Sequence, residues 1–265
     1  MPDYECLDIV KKAEPLPHLR VFLNRPEVHN AFNEQVIAEL TTCFNEATQA
    51  TDIRAIVLGG HGRSFCAGAD LTWMKKSADF TYEENLEDAE ALANLFATID
   101  SCNKPVIGRI NGAAIGGGSG LVATCDIAVA VERARFAFSE INLGIIPAVI
   151  SPYVLAKIGV ANAREFFLTG ERFPATRALQ IGLVQYVVPE EALDERTNTL
   201  LTALHSSGPK AITACKELIQ QVAPVPKEQA KDYTIGVIAK LRVSEEGKEG
   251  IRSFLEKRKP QWMTD

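Results

Sequence analysis

Along the first 140 residues, short apolar runs alternate with longer amphipathic stretches. Residues 19–23 (LRVFL) form a compact apolar run closed by Arg25-Pro26, and they predict a strand. Over 31–47, Phe32, Val36, Ile37, Leu40, Phe44 and Ala47 recur at helical spacing. Residues 53–58 (IRAIVL), bounded by Gly59-Gly60, predict a buried strand. Residues 63–76 (RSFCAGADLTWMKK) read as a loop running into polar helical sequence, and 83–98 as an amphipathic helix. Further strands are predicted at 105–110, 127–131 and 136–138. From 151 the pattern is helical, apart from a strand at 184–188. Helices are predicted over 191–205, 209–222, 228–243 and 245–257, punctuated by Gly208-Pro209 and Pro224-Val225-Pro226. The pattern predicts an α/β core followed by a helical C-terminal part.

Residues 111–126 (NGAAIGGGSGLVATCD) break this rhythm. Gly116, Gly117, Gly118 and Gly120 precede a helical run predicted over 121–124. Glycine there costs about 0.5–1 kcal/mol each relative to alanine. Either a helix packs tightly on a strand, or the bare backbone forms an anion pocket at a helix N-terminus. A P-loop needs Gly-Lys-Ser/Thr, whereas Ser119-Gly120-Leu121 follows here. The spacing also departs from a dinucleotide-binding turn, and the run lies in mid-chain. An oxyanion hole, two main-chain N–H groups meeting a carbonyl oxygen as it becomes an enolate, fits the anion reading. The loop 66–70 (CAGAD) is the candidate for the second donor. No carboxylate follows the glycines until Asp126, which is assigned a structural role.

The chain has 265 residues, 46% apolar and 23% charged, which suits one large domain or a domain with a subdomain. A net charge of −6 argues against a nucleic-acid or anionic-membrane partner. The concentrated basic run is Lys257-Arg258-Lys259. No apolar stretch is long enough to cross a membrane. Asp3 and Glu5 stand where a signal peptide carries positive charge, so a cytoplasmic location is expected. Cys6, Cys43, Cys66, Cys102, Cys125 and Cys215 show no C-x-x-C spacing and are expected to be free thiols. His18, His29, His61 and His205 form no H-E-x-x-H pattern, and no metal is expected.

The stretches NRPEVHNAFN (24–33), SFCAGADL (64–71), PVIGRINGAAIGGG (105–118), CDIAVA (125–130), FSEINLGIIP (138–147) and GKEGIRSFLEKRKP (247–260) together resemble the enoyl-CoA hydratase/isomerase, or crotonase, superfamily. The resemblance implies a crotonase-like ββα spiral core over 1–195. It also implies a helical C-terminal region over 196–265 that builds homotrimers, or dimers of trimers. It implies an acyl-CoA thioester as ligand, with no cofactor beyond the substrate's own coenzyme A. By position, Ala69 and Gly117 match the oxyanion-hole amides. Ala67 and Ala69 match the adenine edge, with Asp70, Leu71 and Gly116 counted among the CoA-binding residues. Phe254 and Lys257 match a tail segment that holds CoA, often from a neighbouring subunit. Glu140 matches a catalytic glutamate. Hydratases of the family usually carry another glutamate, at the position of Gly120.

A lone glutamate after a strand is usually solvated. Glu140, however, follows Phe136-Ala137-Phe138 and precedes an apolar stretch, so its partial burial is expected, tuning it for acid/base work. Trp73 and Met74 are read as packing, with an acyl-pocket lining as the alternative. Glu83, Glu84 and Asp88 are candidates for a second acid, with a solvated helix face as the alternative. AGADLTWMKKSA (67–78), FSEINLGIIPAVISPYV (138–154) and RVSEEGKEGIRSFLEKRKPQW (242–262) resemble the bacterial methylglutaconyl-CoA or carboxygeranoyl-CoA hydratase type. The first expectation is hydration of a branched 2-enoyl-CoA. The second is Δ3-Δ2-enoyl-CoA isomerisation by Glu140 alone. The third is a non-catalytic acyl-CoA- or RNA-binding relative.

Overall fold

The computed structural model describes residues 4–263. Strands β1 (Leu7–Lys12) and β2 (His18–Leu23) form an antiparallel pair, with Leu7 opposite Leu23. β3 (Ala55–Gly60), β4 (Val106–Ile110), β6 (Ile127–Val131) and β9 (Tyr186–Val188) extend the sheet in the order β1-β2-β3-β4-β6-β9, each pairing parallel. Every residue of β3 is buried, and a parallel strand covered on both faces needs that unbroken apolar run. A smaller sheet joins β5 (Ala114–Ile115), β7 (Arg135–Ala137) and β8 (Phe173–Pro174).

Parallel pairing demands crossovers, and helices supply them. Helix α1 (Glu34–Gln49) links β2 to β3. Its start is fixed by Asn33, whose side chain accepts from Val36 N at 2.9 Å. Val36, Ile37, Leu40, Phe44 and Ala47 of α1 are all buried, as their spacing predicted, and Cys43 is buried with them. Helices α2 (Leu71–Ser77) and α3 (Tyr82–Asp100) link β3 to β4. A capping box of Thr81 and Glu84 opens α3. Helix α4 (Gly117–Thr124) begins four residues before the apolar run that suggested it. Strands β1, β5 and β8 were not legible from pattern, and the last two are only two residues long.

Helices α5 (Ser151–Thr169), α6 (Ala175–Gln180) and α7 (Leu193–His205) follow. The boundary expected between residues 195 and 196 falls inside α7, which packs on β4 and β6. Beyond it, α8 (Pro209–Val222), α9 (Lys227–Val243) and α10 (Glu245–Leu255) pack on one another. Helix α8 is fastened to the core by Lys216 pairing with Asp126 at 2.8 Å and by Thr213 donating to Asn103 O at 3.0 Å. Asp126 also accepts from Val106 N at 2.7 Å, so its carboxylate serves the fold. All six cysteines are free thiols. Among the described residues, no helix is long and apolar enough to cross a membrane, and no group of three His, Cys, Asp or Glu side chains could hold a metal ion.

Candidate active site

The loop after β3 and the glycine run after β4 are stitched together by main-chain bonds. Cys66 N donates to Ala113 O and Ile115 N to Cys66 O, each at 3.0 Å. Phe32 holds the other side of the loop. Its N–H donates to Gly68 O, and its carbonyl accepts from Asp70 N, each at 2.7 Å. In this parallel bridge Phe32 bonds the neighbours of Ala69, so the N–H of Ala69 points away from it.

The close approach of the two loops explains the glycines. A Cβ on Gly118 would lie 2.2 Å from Cys66 O, a backbone atom that cannot step aside. Gly116 adopts φ 54°, a left-handed conformation that glycine enters without steric penalty. Its N–H donates to Ala137 O at 2.9 Å, tying the turn to β7. Gly117 then stands first in α4, where main-chain N–H groups have no intrahelical acceptor. A Cβ there would meet the Phe32 ring at 2.9 Å. Phe32 therefore touches both expected donors, bridging Ala69 and packing beneath Gly117. Among the described residues, neither the Ala69 nor the Gly117 N–H has a protein acceptor.

Glu140 lies in the 3-10 turn Ser139–Leu143 directly after β7. Its Oε1 stands 3.0 Å from where a Gly116 side chain would begin. Its Oε2 is buried, without a hydrogen-bond partner among the described residues. Burial pushes its pKa above the ordinary carboxyl value, against a weaker pull from its own main-chain N–H. The structure thus brings the protonatable carboxyl beside the residue preceding the Gly117 amide.

The position of the missing glutamate is filled by hydrocarbon. Gly120 is buried, and a Cβ on it would lie 2.3 Å from Ile150 Cγ2 and 3.1 Å from the Phe96 ring. Neither Ile150 nor Phe96 was singled out from sequence, because nothing in a linear pattern shows which side chains face a glycine.

Other expected residues are placed differently. Asp70 is buried, and its carboxylate accepts from Thr72 N at 2.7 Å and pairs with Arg25 at 2.8 Å. Burial alone would raise its pKa, but the bonds from Thr72, Arg25 and Trp73 outweigh it and hold the group below the usual range. The Asp70 side chain therefore fixes the start of α2, and only its backbone borders the loop. Leu71 is exposed at the first position of α2, and Ala67 is half-buried, its N–H donating to His29 O at 3.0 Å. Trp73 is buried. Glu83 is exposed, and Glu84 is engaged in the α3 cap. Asp88 is half-buried facing Trp73, and burial pushes its pKa up. Phe254, on α10, is 83% exposed, and Lys257, just beyond, is exposed with φ 52°. Helix α10 packs on α9 and α8, and no hydrogen bond links either residue to the glycine loops within the chain.

The sequence model of the family described as enoyl-CoA hydratase/isomerase matches residues 19–265. The chain belongs to that family. It is 34% identical to the 2,3-dehydroadipyl-CoA hydratase of Escherichia coli (strain K12), across 92% of this chain and 94% of that one. It is 29% identical to the peroxisomal Delta(3,5)-Delta(2,4)-dienoyl-CoA isomerase of Arabidopsis thaliana, across 99% of this chain and 98% of its relative. The crystal structure of an enoyl-CoA hydratase from Shewanella pealeana superimposes with a TM-score of 0.93 at 39% identity, covering 97% of this chain and 96% of that one. The crotonase fold is shared, and family members that hydrate and family members that isomerise both align with the chain.

Proposed function

We propose that the chain hydrates a branched 2-enoyl-CoA, with the thioester oxygen received by the Ala69 and Gly117 amides. What supports this reading is that Phe32 borders both Ala69 and Gly117, that among the described residues neither of their N–H groups has a protein acceptor, and that the Glu140 carboxyl, of raised pKa, lies beside Gly116. Donors aimed at a developing oxyanion act without reorganising, and each is worth about 2.7–4 kcal/mol.

With hydrocarbon beside Gly120, this reading assigns both proton transfers to Glu140. Ionised Glu140 takes a proton from water as the water oxygen bonds to the β-carbon. The π electrons move onto the thioester oxygen, held as an enolate by Ala69 and Gly117. Glu140, now protonated, returns a proton to the α-carbon on the same face. Water has then added across the double bond, and Glu140 is ionised again. Such acid/base work contributes about 10²–10⁴-fold.

The resemblance of residues 138–154 and 242–262 to methylglutaconyl-CoA and carboxygeranoyl-CoA hydratases supports an acyl chain with a distal carboxylate. A trimer, or a pair of trimers, in which Phe254 and Lys257 reach a neighbour's CoA is supported by the exposed apolar side chains Ile235, Ile238, Ile251, Phe254 and Leu255.

Isomerisation of a 3-enoyl-CoA is the second reading, favoured by the filled space at Gly120. There Glu140 removes an α-proton and returns it to the γ-carbon, with the same amides holding the dienolate. Incubation with 3-methylglutaconyl-CoA and with a 3-enoyl-CoA in ¹⁸O-labelled water separates the two. A hydratase loses enoyl absorbance and incorporates label, whereas an isomerase gains absorbance and incorporates none. Binding of both thioesters without turnover would leave the non-catalytic reading standing.

A further inference from the structure

A cavity of about 310 Å³ lies between the large sheet and α7, and none of Ala69, Gly117 and Glu140 lines it. Its sheet side is basic. Lys12 pairs in register with His18, and Arg20 with Val57, so these side chains share one face. Arg109 of β4 joins them in the lining, and Asp194 closes it from α7. Gly59 makes the arrangement possible, since a Cβ there would come within 2.8 Å of the Phe22 ring. That ring lies across β3 with the Arg20 guanidinium 4.4 Å from its centroid and the Arg109 guanidinium 5.5 Å away.

Two guanidiniums therefore share one ring, and Arg109 Nε pairs with Asp194 at 2.6 Å. Among the described residues, neither Arg20 nor Lys12 has a carboxylate at ion-pair distance. Against Lys12, Arg20 and Arg109 the lining offers only Glu14 and Asp194, which leaves a cationic excess. His18 adds no charge of its own, because burial, then Arg20 and Lys12, hold its pKa down.

We propose that this cavity is a second binding site, taking a small oxyanion (a phosphate or a carboxylate group) on Arg20 and Lys12. A planar guanidinium offers a carboxylate or phosphate two parallel donors, and among the described residues no hydrogen bond engages the Arg20 fork, which lies over the Phe22 ring. The ligand cancels the repulsion between the paired arginines, so it binds the folded chain and raises its melting temperature.

The test is thermal unfolding of the full chain at constant ionic strength, titrated with sodium phosphate, sodium succinate or sodium chloride. A saturable rise with phosphate or succinate, absent with chloride and undiminished by saturating coenzyme A, is expected. Arg20→Gln should weaken that response about tenfold or more, as loss of a charge-assisted bond implies. Lys12→Gln, at an exposed position, should weaken it too and decides the matter if Arg20→Gln does not fold. Glu140→Gln should leave it intact. A response to one anion alone identifies phosphate or carboxylate as the ligand group. No saturable response to either anion, or an undiminished one in the Arg20 and Lys12 variants, overturns the proposal.

Discussion

Gly118→Ala is a substitution for which helix propensity and tertiary geometry give opposite signs. Gly118 is the second residue of α4, where alanine would ordinarily stabilise by about 0.5–1 kcal/mol. Here the added methyl would stand 2.2 Å from Cys66 O and 3.0 Å from Cys66 C and Cβ. The carbonyl cannot rotate away, because it accepts Ile115 N. The helix start and the 66–70 loop must therefore separate. Overpacking of this kind costs about 1–3 kcal/mol, which outweighs the propensity gain. Separation also moves the Gly117 amide relative to Ala69, and losing one oxyanion donor lowers kcat by about 10²–10³. Urea unfolding and kcat with the preferred enoyl-CoA, measured on the same preparation, check both parts. A Gly118→Ala protein as stable and as active as the parent would refute the packing argument and the functional meaning of the glycines.

The other predictions concern the carboxylates. Glu140→Gln should lower kcat by about 10²–10⁴ while leaving thioester binding within a small factor, as read by turnover and calorimetry. Because burial raises the Glu140 pKa in the fold, its ionisation opposes folding, and the associated stability is lost as pH rises through the folded value. Glu140→Gln should therefore be more stable than the parent at neutral pH, with the difference shrinking in acid. The activity of the parent should fall in acid with a midpoint above that of an ordinary carboxyl. Asp70→Ala should destabilise by about 0.5–2 kcal/mol through the lost α2 cap, and should release Arg25, both visible in urea unfolding. Gly120→Glu should not create a two-acid hydratase: its side chain would enter Ile150 and Phe96, so stability and activity should both fall.

Much of the fold is readable from periodicity because its elements are long or wholly apolar. The buried stripe of α1 and the unbroken run of β3 each have one solution consistent with burial. β5 and β8 leave no periodic trace, since two residues cannot show a period, and they are defined by pairing with β7. The glycine run was legible as an anomaly, and of the two readings weighed for it the tight packing is seen directly in the structure. Gly118 permits tight packing on Cys66, and the Gly117 N–H beside it has no acceptor among the described residues. Glu140 was legible from the aromatic strand before it, whereas its approach to Gly116 depends on a left-handed turn that sequence pattern does not show. The structural task of the Asp70 carboxylate was not legible, because its partner Arg25 lies forty-five residues earlier. The same blindness to what faces a glycine hid Ile150 and Phe96, which leave no room for a side chain at position 120.

The most direct measurement is the carbonyl stretch of a bound, unreactive acyl-CoA carrying ¹³C at its thioester carbon, recorded by isotope-edited infrared difference spectroscopy. Two N–H donors converging on that oxygen should shift the band to lower frequency than in water, and the shift should persist in Glu140→Gln. A bound ester whose carbonyl vibrates as it does in water would contradict the convergence of Ala69 and Gly117 on a single oxygen.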